Sequence, residues 1–476
     1  MLLLNQTSAI QKFLITHGRG RWATALLFLA TIFLTATIER ENWPIILFPF
    51  AGAISIYGLV VIRPLSRNVD IRFWLGVALL ARIVLVFTFP NLSDDLYRFI
   101  WDGHCTLQGL NPYTIVPSEF IASYGDTGFL NAELLAKLNS PDYHTVYPPL
   151  SQYIFAMAAW VGGDNWLVSS IVLKTIILLA ECSTIWMTVK ILSRKNQKHL
   201  ALLYALNPLV IIELVGNIHF EGVMIWGMVA AYYILLPTFS KIVEDKVLPH
   251  QTMRNLFKTA AALVTAIFVK LIPVILVPFF WRRLGWRSFF TLSGMVAVLL
   301  LVLAIPFFSS STTAGPADSL DLYFHTFEFN AGLYYVFRWF GFLYKGYNMI
   351  ATIGTATSIL TIALLAGLFF FEKKPTIQNW PRIALFALTI YLMLASIVHP
   401  WYICGLVALA PFTRFRYPVI WSALAFLSYS AYRTDPVLEN LWLVGFEYLL
   451  VFGFVFWEWR TASQVRSQQG DRILEK

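Results

Sequence analysis

Charge is scarce in this chain. Of its 476 residues only 13% are Asp, Glu, Lys or Arg, while 58% are hydrophobic. A soluble domain carries about a quarter charged residues, so that class is excluded. Cysteine is scarce too: Cys105, Cys182 and Cys404 stand far apart with no CxxC pair. This excludes a disulfide framework and a thiolate metal centre, and the three read as unpaired thiols. No Walker A loop, HExxH, GxSxG or strand–helix GxGxxG occurs, so nucleotide, zinc-protease and serine-hydrolase chemistries lack support. Short alternating strands are missing, which excludes a transmembrane β-barrel. Internal repeats, common in transporters, are missing as well.

Apolar runs fill the chain instead, and mean hydropathy is +0.66. They lie at 22–38, 44–62, 72–89, 166–192, 199–215, 222–239, 256–281, 288–307, 348–371, 382–398, 401–413, 417–431 and 439–459. A spanning helix needs about 20 apolar residues, so the runs predict an all-α polytopic membrane protein of about 12–14 transmembrane helices. No small-residue cleavage pattern follows Ile38, so the first span is expected to be retained. The run 256–281 is broken by "KLIP" (Lys270–Pro273) and is expected to enter and return as two short helices.

The net charge of +9 is spread between the apolar runs rather than gathered in one patch. That distribution argues against nucleic acid and serves better to set topology. With the N-terminus cytoplasmic, the positive-inside rule places most of the 35 basic residues on the cytoplasmic side. The tail 460–476 is then cytoplasmic, polar and loose. Residues 90–165 become a large extracytoplasmic loop domain, and 308–347 a second outer loop. The segment 150–162 is too short to span untilted and is expected to lie flat at the outer interface as an amphipathic helix.

Four polar clusters fall on that outer face: "SDDLYRFIWDGH" (93–104), "GNIHFEG" (216–222), "FHTFEFN" (324–330) and "VHPWY" (398–402). By helix chemistry alone, Ser93 is an N-cap with Asp94 and Asp95 in the first turn and a local Asp–Arg98 pair. The competing reading is a general base. A carboxylate at an apolar boundary is desolvated, which raises its pKa toward useful values. Arg98 could hold that carboxylate or a phosphate. "NIHFE" reads either as a polar loop capping the next helix or as a titratable pair in a site. "HPWY" reads either as a tight turn with interfacial anchors or as part of the same site. Lys270 is a snorkelling lysine or a phosphate contact. Arg82, Lys174 and Glu181 lie within spans, where internal pairing, Lys174 with Glu181 for example, competes with function.

The blocks "DLYRFIWDGHCTLQGLNPY", "TVYPPLSQYIFA", "ALNPLVIIELVGNIHFEG" and "HPWY", in that order, resemble the bacterial polyprenol-phosphate-mannose-dependent α-mannosyltransferases of the GT-C superfamily. The likeness spans roughly 70–410, and its first block is the most specific. It implies a GT-C-like membrane enzyme of the bacterial cytoplasmic membrane, with both termini cytoplasmic and the active site extracytoplasmic. It also implies a polyprenyl-phosphate sugar donor, with mannose the expected sugar, and a glycan, lipid or other hydroxyl acceptor. The family's base pattern falls on Asp95, with Asp94 second. Candidate donor phosphate and sugar contacts are Arg98, Trp101, Asp102, His104, Tyr147, His219, Glu221, Lys270, His325, His399, Trp401 and Tyr402. His104 and Glu221 depart from the pattern, standing where Arg and Asp are common. The implied reaction is inverting and needs neither metal nor cofactor: a base takes the acceptor proton while cations hold the departing phosphate. A transporter or flippase of lipid-linked sugars, or an oligosaccharide ligase or polymerase, stands as the alternative.

Overall fold

The structure is a computed structural model and describes residues 18–61, 70–244, 250–308, 327–434 and 436–474. The described residues are helical, with only isolated bridges such as Phe329–Ile397 between extended segments. The principal helices are α1 (Gly18–Thr37), α2 (Trp43–Val61), α3 (Ile71–Val86), α4 (Asp95–Leu107), α5 (Pro149–Gly162), α6 (Trp166–Ser193) and α7 (Glu221–Glu244). They continue with α8 (His250–Val269), α9 (Trp281–Ala304), α10 (Leu333–Lys345), α11 (Ile350–Phe371), α12 (Trp380–Leu394) and α13 (Leu441–Leu474).

Among the described residues seven helices are long and apolar enough to cross a membrane, and an eighth forms if the pair Lys198–Ala205 and Pro208–Gly216, bent by 54°, is one span. The chain is a helical polytopic membrane protein, and its described residues hold fewer long apolar helices than the twelve to fourteen expected. The difference lies in runs that fold as short or interrupted helices, α3 and α12 having 16 and 15 residues. The run 401–413 becomes a broken helix through Pro400 and Pro411, and 417–431 passes into a 3₁₀ segment after eight residues. These short pieces are largely buried in the protein, where neighbouring side chains can satisfy freed backbone groups. The long helices instead present large apolar side chains outward, including Phe48, Phe371 and Trp442 at 79%, 85% and 89% exposure. That surface suits lipid rather than water.

Two expectations change in detail. "KLIP" does break the chain, but between a 20-residue helix, α8, and a 3₁₀ stretch, Ile272–Phe280, that feeds straight into α9. The tail also departs from the loose segment expected, because α13 runs without interruption to Leu474. Its last part holds no proline and several good helix formers.

Buried charge inside the bundle is hydrogen-bonded, though not in the Lys174–Glu181 pair expected. Glu181 pairs with Arg82, both fully buried, at 3.0 Å. Arg82 also donates to the Ala205 carbonyl at 2.7 Å, just before the bend at Pro208. Lys174 donates to the carbonyls of Leu85 and Thr88. These bonds lock α3, α6 and the bent pair together, and leaving either charge of such a pair alone would be costly.

Candidate active site

The segment leading into α4 is fixed before the helix starts. Asn217 Oδ1 accepts from the Leu92 amide (3.1 Å), which ties the 216–222 loop to the 90–94 loop. Ser93 Oγ accepts from the Asp95 amide (3.3 Å) from one residue before the N-cap position, which is held by Asp94 and not by Ser93 as expected. The expected local Asp–Arg98 pair forms at i,i+4, but with Asp102 and not with Asp94 or Asp95. Arg98 donates to Asp102 (2.9 Å) and to the carbonyls of Ser140 and Tyr143. Asp102 also accepts from Thr145 and from Gln152 Nε2. This buried knot fastens loop 139–148 and α5 to one face of α4.

With Arg98 so engaged, both N-terminal aspartates are free for other partners. Asp94 forms an ion pair with Arg40, whose guanidinium lies 4.5 Å from the ring centre of Tyr432. Asp95 accepts from Asn139 Nδ2 at 2.9 Å. Burial pushes the Asp95 carboxyl above its usual range, while Lys270 nearby and the Asn139 and Tyr147 hydrogen bonds pull it back. Asp95 is thus a half-buried carboxylate with one nearby cation opposing the effect of burial.

That cation comes from the "KLIP" break. Ending α8 at Val269 leaves Lys270 at a helix end, its Nζ 3.1 Å from Glu221 Oε1 and 5.7 Å from the Tyr147 ring centre. Glu221 is fully buried at the first residue of α7. Two residues earlier, His219 lies flat on Trp401 (3.8 Å between ring centres), and Trp401 on its other side stacks with His399 (4.3 Å). Tyr402 and Phe329 pack edgewise or tilted against His399. His219 Nε2 sits 3.3 Å from Glu213 Oε2, whose other oxygen accepts from Tyr429. Burial, with Lys270 close by, pushes both imidazoles down, His399 to about 3. Neutral rings of this kind donate and accept hydrogen bonds without adding charge.

The backbone pays locally for this arrangement. Ile218, a β-branched residue, is left-handed (φ 60°) directly before His219. Such strain persists only where surrounding structure fixes it and gathers at functional sites.

The structure therefore brings together Asp95, Asp94, Tyr147, His219, Glu221, Lys270, His399, Trp401 and Tyr402. Three of the expected clusters converge, and Phe329 from the fourth joins them through backbone bonds to Ser396 and Val398. His325 lies outside the described residues. The remaining candidates sit elsewhere. Arg98 and Asp102 form the buried knot, Trp101 packs in the core against Phe120, and His104 stacks on Phe129 with Nε2 3.2 Å from the Gly163 carbonyl. Sequence reasoning missed Arg40, Asn139, Glu213, Tyr429 and Tyr432. Glu213 lies within the third quoted block, in an apolar stretch that hides it, and the others come from segments outside the quoted blocks. No group of three or more metal-ligating side chains occurs among the described residues.

No solved structure matches the chain. Alpha-(1->6)-mannopyranosyltransferase A of Corynebacterium glutamicum is 26% identical over 158 residues, covering 32% of this chain and 30% of that protein. The Mycobacterium tuberculosis protein of the same description is 26% identical over 244 residues, covering 48% of this chain and 42% of its own length. Matches thus span less than half of either relative. Residues 21–284, more than half of the chain, match the family described as "Alpha-(1->6)-mannopyranosyltransferase, N-terminal domain", and the chain belongs to that family.

Proposed function

We propose that the protein is an inverting glycosyltransferase that moves mannose from a polyprenyl-phosphate donor to an acceptor hydroxyl on the extracytoplasmic face. The observation that carries this reading is the Asp95–Lys270 arrangement: a desolvated carboxylate on α4 under the influence of a lysine at a helix break. The relatives' printed descriptions supply the mannosyl group and the transferase class.

In this reading Asp95 removes the proton from the acceptor hydroxyl as its oxygen attacks the anomeric carbon. The bond from that carbon to the phosphate oxygen breaks, and the electron pair leaves on the phosphate. Lys270 is the cation positioned to stabilise that charge, and such stabilisation contributes about 10²–10³ in rate. A lipid phosphate is a good leaving group, so no strong acid is needed. Attack from the opposite face turns a β-linked donor into an α-linked product. The neutral His219–Trp401–His399 stack offers an aromatic wall and hydrogen-bonding edges for a sugar. Asp94, held by Arg40, contributes negative field beside the base.

A lipid carrier also needs an apolar path. A groove of about 210 Å³ lies beside the cluster, lined by Tyr147, Pro148, Pro149, Phe268, Leu271 and Phe307, among others. Tyr147 faces both groove and cluster, and Leu271 adjoins Lys270, so a prenyl chain lying there would bring its phosphate to the lysine.

The test is purified protein with labelled polyprenyl-phosphate mannose and a panel of glycan, lipid and simple glycoside acceptors. Labelled α-linked product is expected. Movement of intact donor across a vesicle membrane without transfer would establish the flippase alternative instead.

A further inference from the structure

A second cavity, of about 560 Å³, opens on the other side of α4 and has no part in the chemistry described above. Its size lies within the range of small-ligand sites. Ile100 and His104, one turn apart on α4, form its floor. Phe129, Glu133, Asp164 and Trp166 stand around them.

The lining is selective. Glu133 and Asp164 bring two carboxylates, and no lysine or arginine lines the cavity. Phosphate and other anions are therefore repelled. Asn131 and Asn165 also face it, each with its carbonyl oxygen already capping a helix, on the amides of Leu134 and Val168. Their amide NH₂ groups are left to donate. The imidazole of His104, pushed down by burial, adds no cation.

Carboxylates, amide donors and flat rings together suit a neutral ligand rich in hydroxyls. Phe129 is 45% exposed although it belongs to a polar loop and to no candidate span. Trp166 is held edge-on by Tyr97 at 5.2 Å, and Tyr97 is backed by Phe89. Rings fixed in this way present apolar faces to the C–H face of a sugar, while carboxylates accept its hydroxyl protons.

The cavity is also placed for such a ligand. Asp95 lies in the first turn of α4 and His104 in the last, about 14 Å apart along the axis. Asp95 faces Asn139 and the Lys270 side, whereas Ile100 and His104 face the cavity. A ligand there does not occupy the reaction centre.

We propose that this cavity is a saccharide site that holds a distal part of the acceptor glycan, across α4 from the carboxylate at which transfer occurs. The proposal rests on the transferase reading above. It predicts an enzyme that grips long acceptors at two places and short ones at only one.

The experiment uses the full chain and two probes, methyl α-mannoside and a linear α-linked mannotetraose. Binding is first measured by saturation-transfer NMR in the Asp95→Asn protein without donor, so that no turnover is involved. Mannotetraose is expected to bind, and the added pair Glu133→Gln and Asp164→Asn to weaken it about tenfold or more, the scale of one lost charge-assisted hydrogen bond. Both acids belong to the cavity wall, so folding is checked by an unchanged melting temperature, and Trp166→Ala provides an independent disruption. In turnover, the KM for mannotetraose should lie below that for methyl α-mannoside, and the double substitution should raise the first without raising the second.

Equal mannotetraose binding with and without the double substitution overturns the proposal, as does a KM independent of acceptor length. Calcium binding at the cavity without saccharide binding overturns it as well. Saccharide binding at the cavity in a protein that transfers no sugar would instead sink the transferase reading while leaving the saccharide site standing.

Discussion

In the proposed reading Asp95 and Lys270 divide the chemistry between them, and each makes a separate prediction. Asp95→Asn keeps the hydrogen bond geometry with Asn139 but cannot accept a proton. It is expected to lower kcat by about 10²–10⁴-fold, the usual contribution of a general base, with donor binding retained. Full activity in a labelled-mannose assay would remove Asp95 from the role. Lys270 tests the electrostatics. A base acts only when ionised, so activity falls as pH drops through the Asp95 pKa, which burial has raised. Lys270 opposes that rise, so Lys270→Gln should move the acidic limb of the kcat/KM profile to higher pH. An unmoved limb would show that the two groups are not coupled. Loss of stability from leaving Glu221 without its partner would reduce activity but would not shift the limb. Protonation of His399, pushed down to about 3, should leave no signature near neutrality.

At the scale of elements, the site depends on how α4 is held. The Arg98–Asp102–Thr145–Gln152 knot fixes the loop that carries Asn139 and Tyr147. Asp102→Ala leaves a buried guanidinium without its carboxylate and is expected to destabilise by about 3–5 kcal/mol. The contact of α4 with α5 is equally close. A Cβ on Gly103 would stand 2.4 Å from the Phe155 carbonyl oxygen, so Gly103→Ala should cost about 1–3 kcal/mol through overpacking. Thermal unfolding of detergent-solubilised protein measures both, and an unchanged melting temperature in either would contradict the packing described. Part of this element was legible in the sequence, because a helix starting just after Ser93 follows from local chemistry, although its N-cap is Asp94. The partner of Arg98 was not. The i,i+4 alternatives Asp94 and Asp102 are equivalent by spacing, and Asp102 wins because Thr145 and Gln152 meet it from another segment.

Across the whole molecule, the bundle gathers charge by location. The expected outer-face clusters at 93–104, 216–222 and 398–402 meet, with Phe329 beside them, and the described outward surface of the long helices is apolar. The proposed orientation follows from the basic residues, and labelling tests it. Tyr124, 72% exposed in the loop domain, is a suitable position. Tyr124→Cys should react with an impermeant maleimide in intact cells, and reaction only after permeabilisation would invert the topology. Cys105 and Cys404 are buried and should contribute little background.

Composition and hydropathy determined that this is a helical membrane protein, because exposing so many apolar side chains to water is not tenable. The motif blocks determined which segments carry titratable groups. Tertiary structure alone decided which of those groups meet. His104 shares the first polar block with Asp95 but turns to the opposite face of α4, because successive helix positions rotate by about 100°. Arg98 and Asp102, three and seven residues after Asp95, lie near its face and are taken up by Ser140, Tyr143, Thr145 and Gln152. Lys270 joins Asp95 from a helix break far along the chain. Arg40 reaches Asp94 from the short 3₁₀ turn just before α2, and no sequence spacing encodes that contact. Side-chain pairing of this kind is set by how helices pack, and periodicity along one helix carries no information about its neighbours.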